Sequence, residues 1–226
     1  MIFRALILLA LLLAAGPVLA GPMSAVTCHC FTDRSYDAAR PEAADAYYLA
    51  ATQNTFFAQL FKTEKKLLVR GKQKGMLMAD FWVAHYVAEQ TNSSAETLLK
   101  ARYEHPNWSA TLAAQGIDGQ ALELFFANAL ASEASGTQLD RVIIDELLPR
   151  HGVLTKEDIA PLRQGGLENQ EMLMVALLAK KTGKPAQTIA QEKKDSGKSW
   201  SGLFHEAGID IARIDTEITT LLGTLG

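Results

Sequence analysis

The chain has 226 residues, 48% of them hydrophobic and 21% charged, with a formal net charge of −3. Those proportions exclude a disordered acidic or basic tail and supply enough apolar material for one or two globular domains. The slightly acidic balance gives no global reason to bind nucleic acid.

Residues 1–20 read as a secretory leader. Arg4 gives a positive start, Ala5 to Ala15 is an apolar run, and Gly16-Pro17 breaks it. Val18-Leu19-Ala20 then offers small residues before a cleavage point at Gly21. The run is short for a membrane span, so the mature chain is expected in the periplasm or outside the cell and not across a membrane. An uncleaved N-terminal anchor is the alternative.

Residues 21–41 form a lead-in that carries both cysteines, in Cys28-His29-Cys30. In an exported chain two cysteines most simply form a disulfide. A ring closed between residues so near each other is strained, and strained bridges are the labile ones. Free or buried thiols, an intermolecular bridge and a zinc or copper site are the other readings, since soft thiolates and imidazole suit those metals. In an extended segment Cys28 and Cys30 face one way and His29 the other, which disfavours convergence of all three. Elsewhere the sequence points to no cofactor.

A helix is expected to start at Pro41, which suits a first helical position, and to run towards Phe61. Lys62 to Lys74 is basic. Met76 to Gln90 is apolar on most faces and predicts a buried central helix. Ser93 to Glu96 reads as a capping box for a short helix ending near Tyr103. Trp108 to Gln115 is the next, stopped by Gly116, and Asp118 is expected to cap a longer helix with Leu122, Phe125, Phe126 and Leu130 inward. Beyond Ser135-Gly136 come Leu139 to Leu148, Thr155 to Leu162, and Glu168 to Lys181 with Gly183 as its stop. Pro185 opens a further helix that Gly197 ends, Trp200 sits on the following one, and Asp210 caps the last. No stretch alternates as a strand would, so the fold class is all-α, with roughly nine to eleven helices at ordinary lengths.

Trp108-Ser-Ala-Thr-Leu-Ala-Ala-Gln-Gly-Ile-Asp118 and Trp200-Ser-Gly-Leu-Phe-His-Glu-Ala-Gly-Ile-Asp210 share five residues at a separation of 92. Thr91, Ala95 and Thr97 recur as Thr182, Ala186 and Thr188, and Gln73 and Gly75 as Gln164 and Gly166, all at 91. This predicts two tandem copies of a multi-helix unit, over 42–135 and 136–226, packed into one compact helical body. Trp108, Gly116, Asp118, Trp200, Gly208 and Asp210 are read as its structural anchors: indoles for packing, glycines and aspartates for stops and starts. Gln73 and Gln164 recur without such a reason and are expected to cap a helix or line a groove.

The Trp-x(7)-Gly-Ile-Asp unit, followed in its second occurrence by Ile211-Ala-Arg-Ile214, resembles the helix-turn-helix of resolvase-type DNA-binding domains. With Thr182-Gly-Lys-Pro185 and Gly197-Lys-Ser-Trp200 it also resembles uncharacterised exported bacterial all-helical proteins. The first resemblance implies helix-turn-helix geometry, the second export. The segments after the two turns offer Arg213 against Asp215 and Glu217, and Glu123 with no base. They lack the phosphate and base donors of a duplex reader, so nucleic acid is not an expected partner.

His85, His105, His151 and His205 do not recur: His85 stands opposite Ala176, and His205 opposite Ala113. His85 with Glu89 one turn on makes a base-and-orienter pair on paper, but the aromatic helix around it reads as core, and no nucleophile motif accompanies it. The expected function is therefore non-catalytic: an exported interaction protein binding a protein or an anionic envelope component. Lys65, Lys66, Arg70, Lys72 and Lys74, with Lys193, Lys194 and Lys198, are the expected contacts. The alternative is a thiol- or metal-handling protein using Cys28, His29 and Cys30.

Overall fold

A computed structural model describes residues 31–223. Residues 1–20, expected to be a leader, and Cys28-His29-Cys30 lie outside the described residues. Within them the chain is all-helical, with twelve α-helices, two 3-10 turns and no strand. In order these are α1 (Asp45–Leu60), α2 (Lys65–Gln73), α3 (Met78–Gln90), α4 (Ala95–Glu104), α5 (Trp108–Ala114), a 3-10 turn (Gly119–Ala121) and α6 (Leu124–Ala131). Then come α7 (Gly136–Arg150), α8 (Lys156–Gln164), α9 (Asn169–Thr182), α10 (Ala186–Ser196), α11 (Trp200–Glu206), a second 3-10 turn (Ile211–Arg213) and α12 (Ile214–Gly223). None is long and apolar enough to cross a membrane.

Two helices are buried on nearly every side. Phe81, Trp82, Val83, Ala84, Tyr86 and Val87 of α3 are all buried, as is every residue from Met172 to Leu178 of α9. A helix apolar all round must be enclosed by others. Here α7 and α4 enclose α3, while α1 and α10 enclose α9. Trp82 is wholly buried, with Phe57 and Phe61 at 4.9 and 5.6 Å between ring centres. Each such side chain contributes about 1.5–3 kcal/mol on burial.

The long helices are exchanged. α1 opens the first stretch but packs on α9, α11 and α12, and α7 opens the second but packs on α3 and α6. Asp45, the first residue of α1, accepts from the Trp200 and Ser201 amides at 2.9 and 2.8 Å and from the Ser201 hydroxyl at 2.8 Å. A carboxylate there satisfies first-turn amides of α11 that no carbonyl can reach and complements the helix dipole. At the matching place α7 has Gly136, where an added side chain would meet Trp108 and Asp80 at 3.7–3.8 Å.

Several starts differ from the sequence expectation. α1 begins at Asp45, not Pro41, because residues 37–43 take turns held by Arg40 N–H to Asp37 and Ala43 N–H to Arg40. Ser94, not Ser93, caps α4, accepting from the Thr97 amide at 3.1 Å. Pro185 is the cap of α10 rather than its first residue, a one-residue difference at a boundary. Asp118 and Asp210 do not open long helices. Each accepts from the amide two residues on and starts only a 3-10 turn. After the first turn, Gln90 accepts the Glu123 amide at 3.0 Å. Glu123 in turn takes the Tyr86 hydroxyl at 2.8 Å and both Arg150 donors at 3.0 and 2.6 Å, fixing the start of α6 against α3 and α7. The expected glycine stops hold: Gly116, Gly183, Gly197 and Gly208 all have φ of +65 to +70°.

Asp45→Ala should destabilise the protein by about 2–3 kcal/mol, because it strips charged hydrogen bonds from a part-buried helix start. Asp45→Asn should cost less. Urea unfolding of the two variants checks both.

Candidate functional site

The recurring tryptophans are each part of a three-residue set. In the second half, the Trp200 indole N–H points at Glu171 Oε1 at 3.4 Å, and the Lys193 ammonium lies 5.5 Å over the ring. In the first half, the Trp108 indole N–H donates to Asp80 Oδ1 at 3.1 Å, and the Arg102 guanidinium lies 6.0 Å over the ring. Trp108 and Trp200 are buried, so each N–H needs an acceptor, and an acid one helix away supplies it. The cation over the ring adds about 0.5–1 kcal/mol where solvent reaches it.

Each set lies beside a surface groove. The larger, of about 640 Å³, runs between the α8–α9 turn (Gly165, Gly166, Leu167) and α10 (Gln187, Lys193, Lys194), with Trp200 lining it. The smaller, about 290 Å³, lies between the Gly75–Met76–Leu77 turn and α4, with Asp80, Arg102 and His105 in its walls. Gly75 and Gly166 make the same turn, with φ of +87 and +89°, a backbone form costly for any side-chain-bearing residue.

The two grooves differ in charge and polarity. In the smaller one Arg102 is committed: Nη1 donates to the His105 carbonyl at 2.6 Å, and Nε is 3.3 Å from Asp80 without hydrogen-bond alignment. Its rim carries Leu77 and Tyr103, 57% and 58% exposed. In the larger one the acid is committed instead. Glu171 gives one oxygen to Trp200 and the other to the Glu168 amide at 3.0 Å. Lys193 and Lys194 have no carboxylate partner among the described residues, and Glu42 is the other acid in the walls.

The expected basic contacts are scattered among different duties. Lys65 pairs with Asp215 at 2.7 Å, Lys66 with Glu64, and Lys198 with Glu206 at 2.7 Å. Lys72 is drawn inward to Asn54 Oδ1 at 2.7 Å, and burial pushes its ammonium down to about 8. Arg70, Lys74 and Lys194 are exposed. The two basic stretches do not occupy matching places: the first lies on α2, whose counterpart at a spacing of 91 is α8, and the second centres on α10, whose counterpart is α4. Gln73 and Gln164 are exposed at the ends of α2 and α8 and line neither groove.

His85 and Glu89 do not form a working pair. The His85 ring packs at 4.9 and 5.3 Å from Phe57 and Phe61, Glu89 is exposed, and no hydrogen bond joins them among the described residues. Burial pushes His85 down to about 4. Among the described residues no cluster of three or more His, Cys, Asp or Glu is gathered as a metal site.

The acid and cation of each set escape a search for identical residues. Asp80 and Glu171, like Arg102 and Lys193, stand 91 apart but keep only their charge. Matching by charge rather than identity would have found them. No protein-family model, curated protein or solved structure matches the chain.

A histidine whose folded value is depressed takes its proton first in the unfolded chain. Its contribution to stability is therefore complete above about pH 6.5 and is lost as pH falls towards 4. Imidazole NMR should place the His85 midpoint near 4, while a midpoint close to that of an ordinary surface histidine would show that it is not packed this way.

Proposed function

We propose that the protein is a non-catalytic binding protein that holds an anionic partner, a protein or an envelope component, in the groove beside Trp200. One observation carries the reading: two ammonium groups, Lys193 and Lys194, line a groove of about 640 Å³ whose half-buried acid, Glu171, has both oxygens committed elsewhere. A carboxylate or phosphate entering there finds positive charge without first displacing an ion pair. Gln187 adds amide donors and acceptors in the same wall. The leader in residues 1–20 supports a partner met outside the cytoplasm. Lys65, Lys66, Lys72 and Lys198 play a lesser part in this reading, being engaged within the molecule, whereas Arg70 and Lys74 remain available for longer-range attraction.

Poly-glutamate serves as a probe, with binding followed by tryptophan emission or calorimetry. The paired change Lys193→Gln and Lys194→Gln should weaken binding about tenfold at low salt, at roughly 1 kcal/mol or less per exposed charge pair. Lys66→Gln with Lys198→Gln should change it little. Equal affinity of the groove variant and the wild type would overturn the proposal.

A further inference from the structure

The turn that walls the Trp200 groove is held from behind by a buried polar network. Arg163, near the end of α8, donates Nη1 to the Leu167 carbonyl at 2.9 Å. Its Nε and Nη2 reach Asp145 Oδ1 of α7 at 2.8 and 2.6 Å, and Nη2 also donates to Asn169 Oδ1 at the start of α9. The side chain of Arg163 is only 7% exposed. Asp140 of α7 lies beside the Asn169 side chain and is itself 7% exposed, with Oδ1 buried and without a hydrogen-bond partner.

We propose that Asp140, Asn169 and Arg163 form a proton-controlled latch that sets how firmly the Gly165–Leu167 wall of the Trp200 groove is held. A protonated Asp140 sits in this pocket at little cost. An ionised one is a buried charge with an oxygen left bare, and such a group is stabilised only by gaining a partner or water. The available cation is Arg163, whose donors already hold Asp145, Asn169 and the Leu167 carbonyl. Neutralising Asp140 therefore draws on the bonds that fix the groove wall.

The surroundings of Asp140 agree with this. Burial is the main influence and pushes the carboxyl up to about 7, against help from Asn169, Arg163 and the Arg141 backbone, while Glu168 raises it further. From α7 itself Asp145 is already paired with Arg163. Of the helices packed along the rest of α7, α3 brings Asp80, His85 and Glu89, and α6 brings no charged residue. The first half lacks the device. At a spacing of 91, Leu49 stands for Asp140, Met78 for Asn169 and Lys72 for Arg163, with Asn54 in place of Asp145. The latch thus accompanies the groove that keeps uncommitted lysines.

The latch rests on the proposed groove only for what it regulates, and its test needs no ligand. Amide-exchange protection of residues 163–168 is followed in the intact protein across pH, relative to the corresponding turn at 72–77. A carboxyl raised in the closed state is tightest when protonated, so relative protection should fall at least about tenfold between roughly pH 5 and pH 7.5 and level off above. Asp140→Asn, of the same shape, should flatten the profile to within about twofold. Carbon NMR of the Asp140 carboxyl in the unmodified protein should titrate near 7. A flat wild-type profile, an ordinary Asp140 titration, or a slope that survives Asp140→Asn would overturn the latch. Failure of poly-glutamate to bind would leave these readings unchanged, so the two proposals fail separately.

Discussion

Asp45 belongs to the first helix among the described residues, yet its carboxylate holds Trp200 and Ser201, some 155 residues later. The same exchange recurs in the packing of both long helices, α1 on α9 and α12, α7 on α3 and α6. Neither apolar helix, α3 or α9, is covered without a helix from the other half. Exchange makes the two halves one cooperative body, because each half supplies part of the other's core.

That body positions the grooves. Each Trp has to be buried at the start of a helix of seven residues, too short to hold itself by its own ladder. The acid on α3 or α9 takes the indole N–H, and the cation on α4 or α10 covers the ring. What differs between the halves is which partner is left over. In the first, Arg102 is committed and the rim is apolar. In the second, Glu171 is committed and two lysines remain. The Trp–acid–cation arrangement is common to both sets, and the groove linings differ: Leu77 and Tyr103 in one, Lys193 and Lys194 in the other.

Much of the helical order was legible in the sequence, because caps and stops act locally. Gly116, Gly183, Gly197 and Gly208 end helices through a backbone form that glycine alone adopts cheaply, and Thr155 caps α8 as its hydroxyl allows. The start at Pro41 was misjudged because local turns over residues 37–43 precede the helix, and the one at Asp118 because a distant group decides it. Gln90 claims the Glu123 amide from another helix, and nothing near Asp118 announces it. The exchange of α1 and α7 was equally hidden, since periodicity shows which face is buried but not against what. The lysines of the basic stretches read alike as contacts because charge is visible in sequence and ion pairing is not: Lys65 finds Asp215 at a distance of 150 residues along the chain.

Equilibrium unfolding in urea, followed at once by tryptophan emission and by far-ultraviolet circular dichroism, tests the exchange most directly. Trp82 and Trp108 report on α3 and α5, Trp200 on α11, and the dichroism on every helix. The exchanged core predicts coincident transitions with a single midpoint for both signals. Two resolved steps, one carrying the tryptophan change of the first half and the other that of the second, would show that each half folds on its own core and would contradict the account.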